Sequence, residues 1–251
     1  MNETNTEKIS WNFMFGLAAG HAVKHFYQQA FLLLIPSFKE TMGLNDVQVG
    51  LFGTARTIFS STMNIPAGVM ADLWRNKVGF LLAGSLLCLA LGYLLIGLTS
   101  WYWLVLFGVA ITGIGTSLWH APAFGTLGAM YPNKRATALS THRFGGSIGD
   151  SISPIIMGII LSGIIIGNFE WPGISWRNAA LILVIPASIS ALLVLYFYGK
   201  ATGVEGQKEN IALSEYLTSA KSLFKNTTIL SMVSLSSVRA MAHNGLNIFL
   251  V

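Results

Sequence analysis

Residues 77–99, KVGFLLAGSLLCLALGYLLIGLT, carry no charge after Lys77 and are long enough to cross the hydrocarbon core of a bilayer, which takes about 20 helical residues. Polar residues do not alternate with apolar ones along the run, so it lacks the pattern of a barrel strand. In hydrocarbon the backbone must then satisfy itself within the segment, which means a helix. Working outward, comparable runs lie near 11–36, 46–71, 102–130, 135–165 and 174–198, and a seventh begins near 226. The composition agrees: the 251 residues are 53% hydrophobic and 10% charged, with mean hydropathy +0.61, whereas a soluble domain carries about 25% charged residues.

Short turns join the runs: Met42-Gly43-Leu44-Asn45-Asp46, Trp74-Arg75-Asn76-Lys77, Thr99-Ser100, Tyr131-Pro132-Asn133-Lys134-Arg135 and Glu170-Trp171-Pro172-Gly173. The net charge of +5 and pI near 9.4 would point to nucleic acid in a soluble protein. Here the bases sit in the short loops, where they set topology, and no nucleic-acid partner is expected. With the N-terminus inside, Lys8, Arg75, Lys77, Lys134, Arg135, Lys200, Lys208, Lys221 and Lys225 fall on the cytoplasmic side, against Lys39 and Arg177 on the other. Trp101, Tyr102, Trp103, Trp171 and Trp176 fall at span ends as headgroup anchors. The first run lacks a small-residue cleavage site and is read as a retained span rather than a signal peptide. The single cysteine, Cys88, excludes an intrachain disulfide and argues against a zinc site; neither metal nor cofactor is expected.

Residues 199–225 form the one long polar stretch, with Leu213, Tyr216, Leu217, Ala220, Leu223 and Phe224 at the spacing of an interfacial helix. The domain reading is therefore 1–199, a six-helix bundle; 200–225, a cytoplasmic linker with an amphipathic helix; and 226–251, the start of a seventh span. The last residues, Ile248 to Val251, have no polar flank, so a chain cut inside its seventh helix, missing a C-terminal half, is expected.

All five histidines, His21, His25, His120, His142 and His243, fall within apolar runs, together with Lys24, Arg56, Arg143, Asp150 and Arg239. A central Lys, Arg or Asp costs roughly 2.5 to 3.5 kcal/mol to insert, so Lys24, Arg56, Arg143 and Asp150 together cost on the order of 10 kcal/mol unless they face protein or water. His21, Lys24, His25 and Gln28 share one helical face at i, i+3, i+4 and i+7. Arg56, Ser60 and Asn64 form a second stripe, Thr116 and His120 a third, and Arg143, Ser147 and Asp150 a fourth. Four stripes imply one central cavity, the alternative for Ser60, Ser147 and Thr116 being simple hydrogen bonds between helices. The net positive charge predicts an anionic or zwitterionic small-molecule substrate. Asp150 is either a group that loads and releases a proton or a member of a fixed salt bridge, and His25 or His120 could titrate instead. Small residues four apart, Gly16 with Gly20, Gly84 with Cys88 and Gly92, and Gly163 with Gly167, are read as helix-packing sites. Gly145-Gly146-Ser147-Ile148-Gly149 matches the hydrolase pattern G-x-S-x-G, but that motif needs a strand-to-helix elbow, so no enzyme is expected.

Gly68-Val69-Met70-Ala71-Asp72 with Arg75 and Lys77 resembles the loop motif of the major facilitator superfamily, whose acid and bases would make Asp72, Arg75 and Lys77 a gating loop. Three further stretches resemble the fosmidomycin-resistance group of that superfamily: Gly20-His21 through Tyr27 and Pro36 to Gly43-Leu44, Gly113 through Pro122, and Gly145 through Gly149 to Ser153-Pro154. His25 stands where that group often has an acid, and Val109 near where many proton-coupled members have an arginine. Gly149, Ser153, Pro154 and Gly158 resemble the antiporter motif. The resemblance implies an all-α membrane fold of major-facilitator type, an N-terminal bundle of two inverted three-helix repeats plus the start of a seventh helix. It also implies alternating access, proton antiport, efflux and drug resistance, in an inner-membrane, multi-pass protein with a cytoplasmic N-terminus. The expected cavity residues are His21, Lys24, His25, Arg56, His120, Arg143 and Asp150. Rival readings are an importer on the same fold, a non-transporting receptor or assembly subunit, and an intramembrane hydrolase acting through Ser147.

Overall fold

The computed structural model describes residues 11–199, 218, 221 and 225–249. Contacts divide the chain into two compact units, the first ending at Val204 and the second starting at Glu205. The first contains α1 (Trp11–Met42), α2 (Asp46–Leu73), α3 (Val78–Leu98), α4 (Tyr102–Met130), α5 (Arg135–Ser162), a hairpin of β1 (Ile164–Ile166) and β2 (Phe169–Trp171), and α6 (Trp176–Tyr198). Single 3-10 turns at Arg75–Lys77 and Pro132–Lys134 join α2 to α3 and α4 to α5. The second holds α7 (Thr227–Phe249), whose first turn is capped by the Asn226 side chain accepting from the Thr228 and Ile229 amides at 3.0 and 3.2 Å.

Local chemistry sets the helix ends where the turns are read in the sequence. Gly43 takes a φ of +63°, and Asn45 and Gln48 form a reciprocal capping box at the start of α2. Among the described residues, four helical segments are by themselves long and apolar enough to cross a membrane: 75–98, 102–130, 132–162 and 176–198. Helices α1 and α2 have the length, but their polar stripes lower their hydropathy, so they need protein neighbours to cover those stripes.

The helices alternate in direction. At one end, Lys134 lies over the Trp11 ring at 5.4 Å, and the start of α3 meets the end of α6, where Gly79 leaves no room for a Cβ beside the Tyr198 carbonyl. At the other, Trp176 Nε1 donates to Thr41 Oγ1 at 2.7 Å, and Tyr102 donates to the Gln48 carbonyl at 3.0 Å. Helix α1 packs along α5, α2 along α4, and α3 along both α4 and α6. Shifting each helix by three positions exchanges the α1–α5 pair with the α4–α2 pair, the relation that two three-helix repeats produce.

The core lies between α1, α3, α4 and α6, where Leu17, Phe31, Phe38, Leu86, Tyr93 and Trp119 are buried. Tyr93 donates to the Tyr27 carbonyl at 2.6 Å, and Tyr27 donates in turn to the Leu183 carbonyl, tying α3 to α1 and α1 to α6. The perimeter is apolar: Ile155, Ile159, Ile185, Ile189 and Leu192 are exposed, as a lipid-facing surface requires.

One boundary differs from the sequence reading. The fifth apolar run does not continue to residue 165, because Gly163 turns to φ +82° and ends α5. The β-branched Ile164, Ile165 and Ile166 then pair antiparallel with Trp171, Glu170 and Phe169. Gly163 and Gly167 (φ +58°) are therefore turn glycines rather than helix-packing sites. Of Gly84 and Gly92, only Gly92 meets a neighbouring helix closely, against the Gly108 carbonyl and Thr112. The amphipathic segment expected at 199–225 lies mostly outside the described residues.

Candidate functional site

Three helices bring their polar stripes together. Glycines on α5 let α1 approach at backbone distance: a Cβ on Gly145 would lie 2.1 Å from the Ala18 carbonyl oxygen, and one on Gly149 2.1 Å from that of Ala22. The G-x-S-x-G stretch thus lies mid-helix, its glycines used for packing and its Ser147 on the exposed side. Between the two contacts, Gly146 sits under the rings of His21 and His25, where a Cβ would fit only if the rings shifted. Gly20 makes the matching gap for Trp119 of α4.

The cluster so formed contains His21, Lys24, His25, His120, His142 and Asp150. Lys24 is 1% exposed, and its Nζ lies 2.8 Å from His120 Nε2. His21 is 3% exposed, and its Nδ1 donates to the His142 carbonyl at 2.8 Å. The imidazoles of His21 and His142 stack at 3.9 Å with 12° between planes, and Trp119 lies parallel beyond His142. His25 Nδ1 lies 3.0 and 3.1 Å from the two Asp150 carboxylate oxygens. That pair is the open side of the cluster, with Asp150 about half exposed at 48%. A charge as deeply placed as Lys24 requires partners, and a neutral imidazole and a nearby carboxylate provide them.

Arg56 of α2 stands at the edge. Its Nη1 donates to the Gln28 carbonyl at 3.2 Å, and its guanidinium lies over the Phe31 ring at 5.0 Å. Ser60, although on the same stripe, turns to α4: its hydroxyl pairs with that of Ser117 at 2.7 Å, and Ser117 is also 2.6 Å from the Ser60 carbonyl. Thr116 donates to the Gly113 carbonyl of its own helix at 2.8 Å. These hydroxyls tie helix to helix or helix to itself.

Of the residues expected to line a site, His21, Lys24, His25, His120 and Asp150 thus meet in one cluster, with Arg56 beside it. Arg143 lies on the exposed face of α5, in line with Ser147 and Asp150. Asp72, Arg75 and Lys77 are exposed at the α2–α3 connection. The sequence reading placed His142 within a span but not in the site. The signal that includes it is the small-residue stripe Gly145, Gly146, Gly149 and Ser153, which marks the α1-facing side of α5; His142 is one turn before Gly145 and Gly146 on that side.

The sequence profile of the Major Facilitator Superfamily matches residues 17–251. The chain is 23% identical to the Fosmidomycin resistance protein of Escherichia coli K12 over 74% of its own length and 45% of that protein's. It is 27% identical to the Phosphoglycerate transporter protein of Salmonella typhimurium LT2 over 69% of its length and 37% of that protein's. It therefore spans about half the length of the curated relatives it matches, or less. Among solved structures, a bacterial homolog to the human lysosomal transporter Spinster, inward-facing and unoccupied, superposes with a TM-score of 0.73 at 19% identity, covering 96% of this chain and 55% of that one. A six-helix bundle with a polar cluster between three of its helices, matched by that profile over nearly its whole length, makes this chain a member of the Major Facilitator Superfamily and a multi-pass membrane protein.

Proposed function

We propose that this chain is the N-terminal half of a proton-coupled secondary transporter that exports a small anionic or zwitterionic compound by alternating access against a second half. It would sit in the inner (plasma) membrane with its N-terminus in the cytoplasm. The observation that carries this reading is Lys24: a side-chain amine 1% exposed and held at 2.8 Å on His120. Two cations with one half-exposed carboxylate leave the cluster net positive, which favours an anion that completes the charge balance only when bound. Phosphoglycerate, in the name of one relative, is such an anion, and resistance in the name of another supports the outward direction.

In this mechanism Lys24 and Arg56 draw the anionic group, while His120 and His21 fix its orientation. The His25–Asp150 pair, on the open side of the cluster, exchanges protons as the site alternates. Asp72, Arg75 and Lys77 act at the α2–α3 connection as the gating loop, making charge-assisted contacts in one state and releasing them in the other.

The test is transport by inverted membrane vesicles made from cells expressing the full reading frame that contains this chain. Uptake of a phosphorylated or phosphonate-bearing anion driven by an inward-acidic proton gradient, abolished by a protonophore and by Lys24→Gln, is the expected result. Accumulation only in right-side-out vesicles would establish the importer. If vesicles with the parent protein take up no more than vesicles lacking it, in either orientation, the chain serves a non-transporting receptor or subunit instead; unchanged uptake in Lys24→Gln, Asp150→Asn and Arg143→Ala would remove these residues from the transport site.

A further inference from the structure

The histidines of the cluster present more than hydrogen-bonding capacity for an anion. One nitrogen from each of His21, His25 and His120 lies within 4.8 Å of the other two. The Nδ1 atoms of His21 and His25 are each committed to an acceptor, a backbone carbonyl and a carboxylate. An acceptor can only receive, so in the neutral rings Nδ1 carries the proton and Nε2 keeps its lone pair. His21 Nε2 is buried and unpartnered, as is His120 Nδ1. A metal-ligating histidine shows this arrangement, one ring nitrogen held by a carbonyl or carboxylate and the other free for the ion. His21 and His25 also stand one helical turn apart, the i, i+4 spacing by which two histidines on one face of a helix hold zinc.

We propose that His21, His25 and His120 form a site for a divalent transition metal ion of zinc type, and that loading it is mutually exclusive with the Lys24–His120 hydrogen bond. Tetrahedral coordination with Zn–N of about 2.0–2.1 Å brings ligand nitrogens to about 3.4 Å apart, so the three rings close by an ångström or so. His25 and His120 are partly exposed and are the rings that must move, since His21 is held by its stack on His142. Three protein nitrogens leave a fourth position for water, the open arrangement of a zinc site that exchanges its ligands. Lys24 sets the affinity. Its Nζ donates to His120 Nε2, which leaves the proton of the neutral ring on Nδ1, so neither nitrogen offers the ion a lone pair until the lysine withdraws. The absence of a cysteine pair does not oppose this site, since neutral imidazoles alone suffice for zinc, copper, nickel or iron. If the transport reading is right, a bound ion blocks traffic that uses Lys24; the binding itself does not depend on that reading.

The experiment uses the protein purified in detergent from its full reading frame, without a polyhistidine tag, titrated with Zn2+ by calorimetry and with Co2+ by visible absorption. The expected result is one saturable ion per chain with a tetrahedral Co2+ spectrum, lost in His21→Gln, His25→Gln and His120→Gln. His142→Phe keeps the stack and the backbone carbonyl, and retains binding. Asp150→Asn removes the carboxylate behind His25 and weakens affinity about 10- to 100-fold at unchanged stoichiometry. Lys24→Met strengthens binding several-fold. Full-affinity binding in His120→Gln, no saturable ion in either the parent or Lys24→Met, or weaker binding in Lys24→Met overturns the proposal. The Lys24→Met arm decides the question even where a histidine variant fails to fold, and its failure leaves the transport assay of the parent protein unaffected.

Discussion

At the residue scale the cluster depends on what three glycines of α5 omit. A Cβ at Gly149 would meet the Ala22 carbonyl at 2.1 Å, and backbone cannot yield as a side chain does. Gly149→Ala is therefore expected to cost about 1–3 kcal/mol by overpacking, read as a lower melting temperature in detergent; an unchanged melt would show that α1 and α5 can separate freely. Gly146→Ala acts differently, since its Cβ would lie 2.9 Å from His21 Cε1 and 3.0 Å from His25 Cδ2, both ring atoms of movable side chains. It should leave the melt nearer to that of the parent but displace both imidazoles, lowering transport and metal affinity together. Gly158→Ala, with nothing within 4 Å, should alter neither, and serves as the control. The face shared by His21, Lys24 and His25 was legible from spacing alone, because one helix carries all three. What spacing could not supply was the partner of each side chain: Lys24 on His120, or His25 on Asp150, is a fact of inter-helix register. His142 escaped for the same reason, its role depending on which side of α5 meets α1.

At the scale of the element, α5 separates two kinds of surface. Its packed side is Ala138, His142, Gly145, Gly146, Gly149 and Ser153, and Ser153 donates to the Phe26 carbonyl of α1 at 3.0 Å. Its open side carries Arg143, Ser147, Asp150 and Ser151 along one line and Phe144, Ile148, Ile155 and Ile159 along another. Asp150 is useful only where it is, since one residue along a helix rotates the side chain by about 100°. The double variant Asp150→Ser with Ser151→Asp keeps the composition and charge of α5 but turns the carboxylate away from His25. Proton-driven transport is expected to be lost while the protein still assembles in the membrane, as judged by a monodisperse elution profile. Retained coupling would show that any carboxylate on the open side of α5 suffices and that the pairing with His25 is incidental. The helices themselves were legible in the apolar runs, within a few residues at most ends. The hairpin 164–171 was not, because three consecutive isoleucines read equally as the end of a membrane helix or as a strand, and only the positive φ of Gly163 decides between them.

For the whole molecule, the six helices of the first unit place the 3-10 turns at 75–77 and 132–134 at one end, with the starts of α1 and the end of α6, and the loops at 43–45 and 99–101 and the 164–171 hairpin at the other. The first end gathers Arg75, Lys77, Lys134 and Arg135 and the second Lys39 and Arg177, a bias that supports the proposed orientation with the first end in the cytoplasm. The architecture follows from polarity because α1 and α2 are too polar to lie alone in lipid and are stable there only with their stripes turned to α5 and α4. The proposed orientation is open to direct measurement by thiol labelling in a background from which Cys88, the one cysteine of these 251 residues, and any further cysteine of the full reading frame have been replaced by alanine. Asn133→Cys and Asn168→Cys each add one exposed site, at opposite ends of the bundle. A membrane-impermeant maleimide applied to intact cells should label the cysteine at 168 and spare that at 133, and inverted vesicles should reverse the pattern. The opposite outcome would put the bases outside and turn the direction of transport around with them. Labelling of both sites from one side would mean that the chain makes an even number of crossings between them, so that α5 does not cross the membrane, which α5's apolar outer face and its place in a six-helix bundle both oppose.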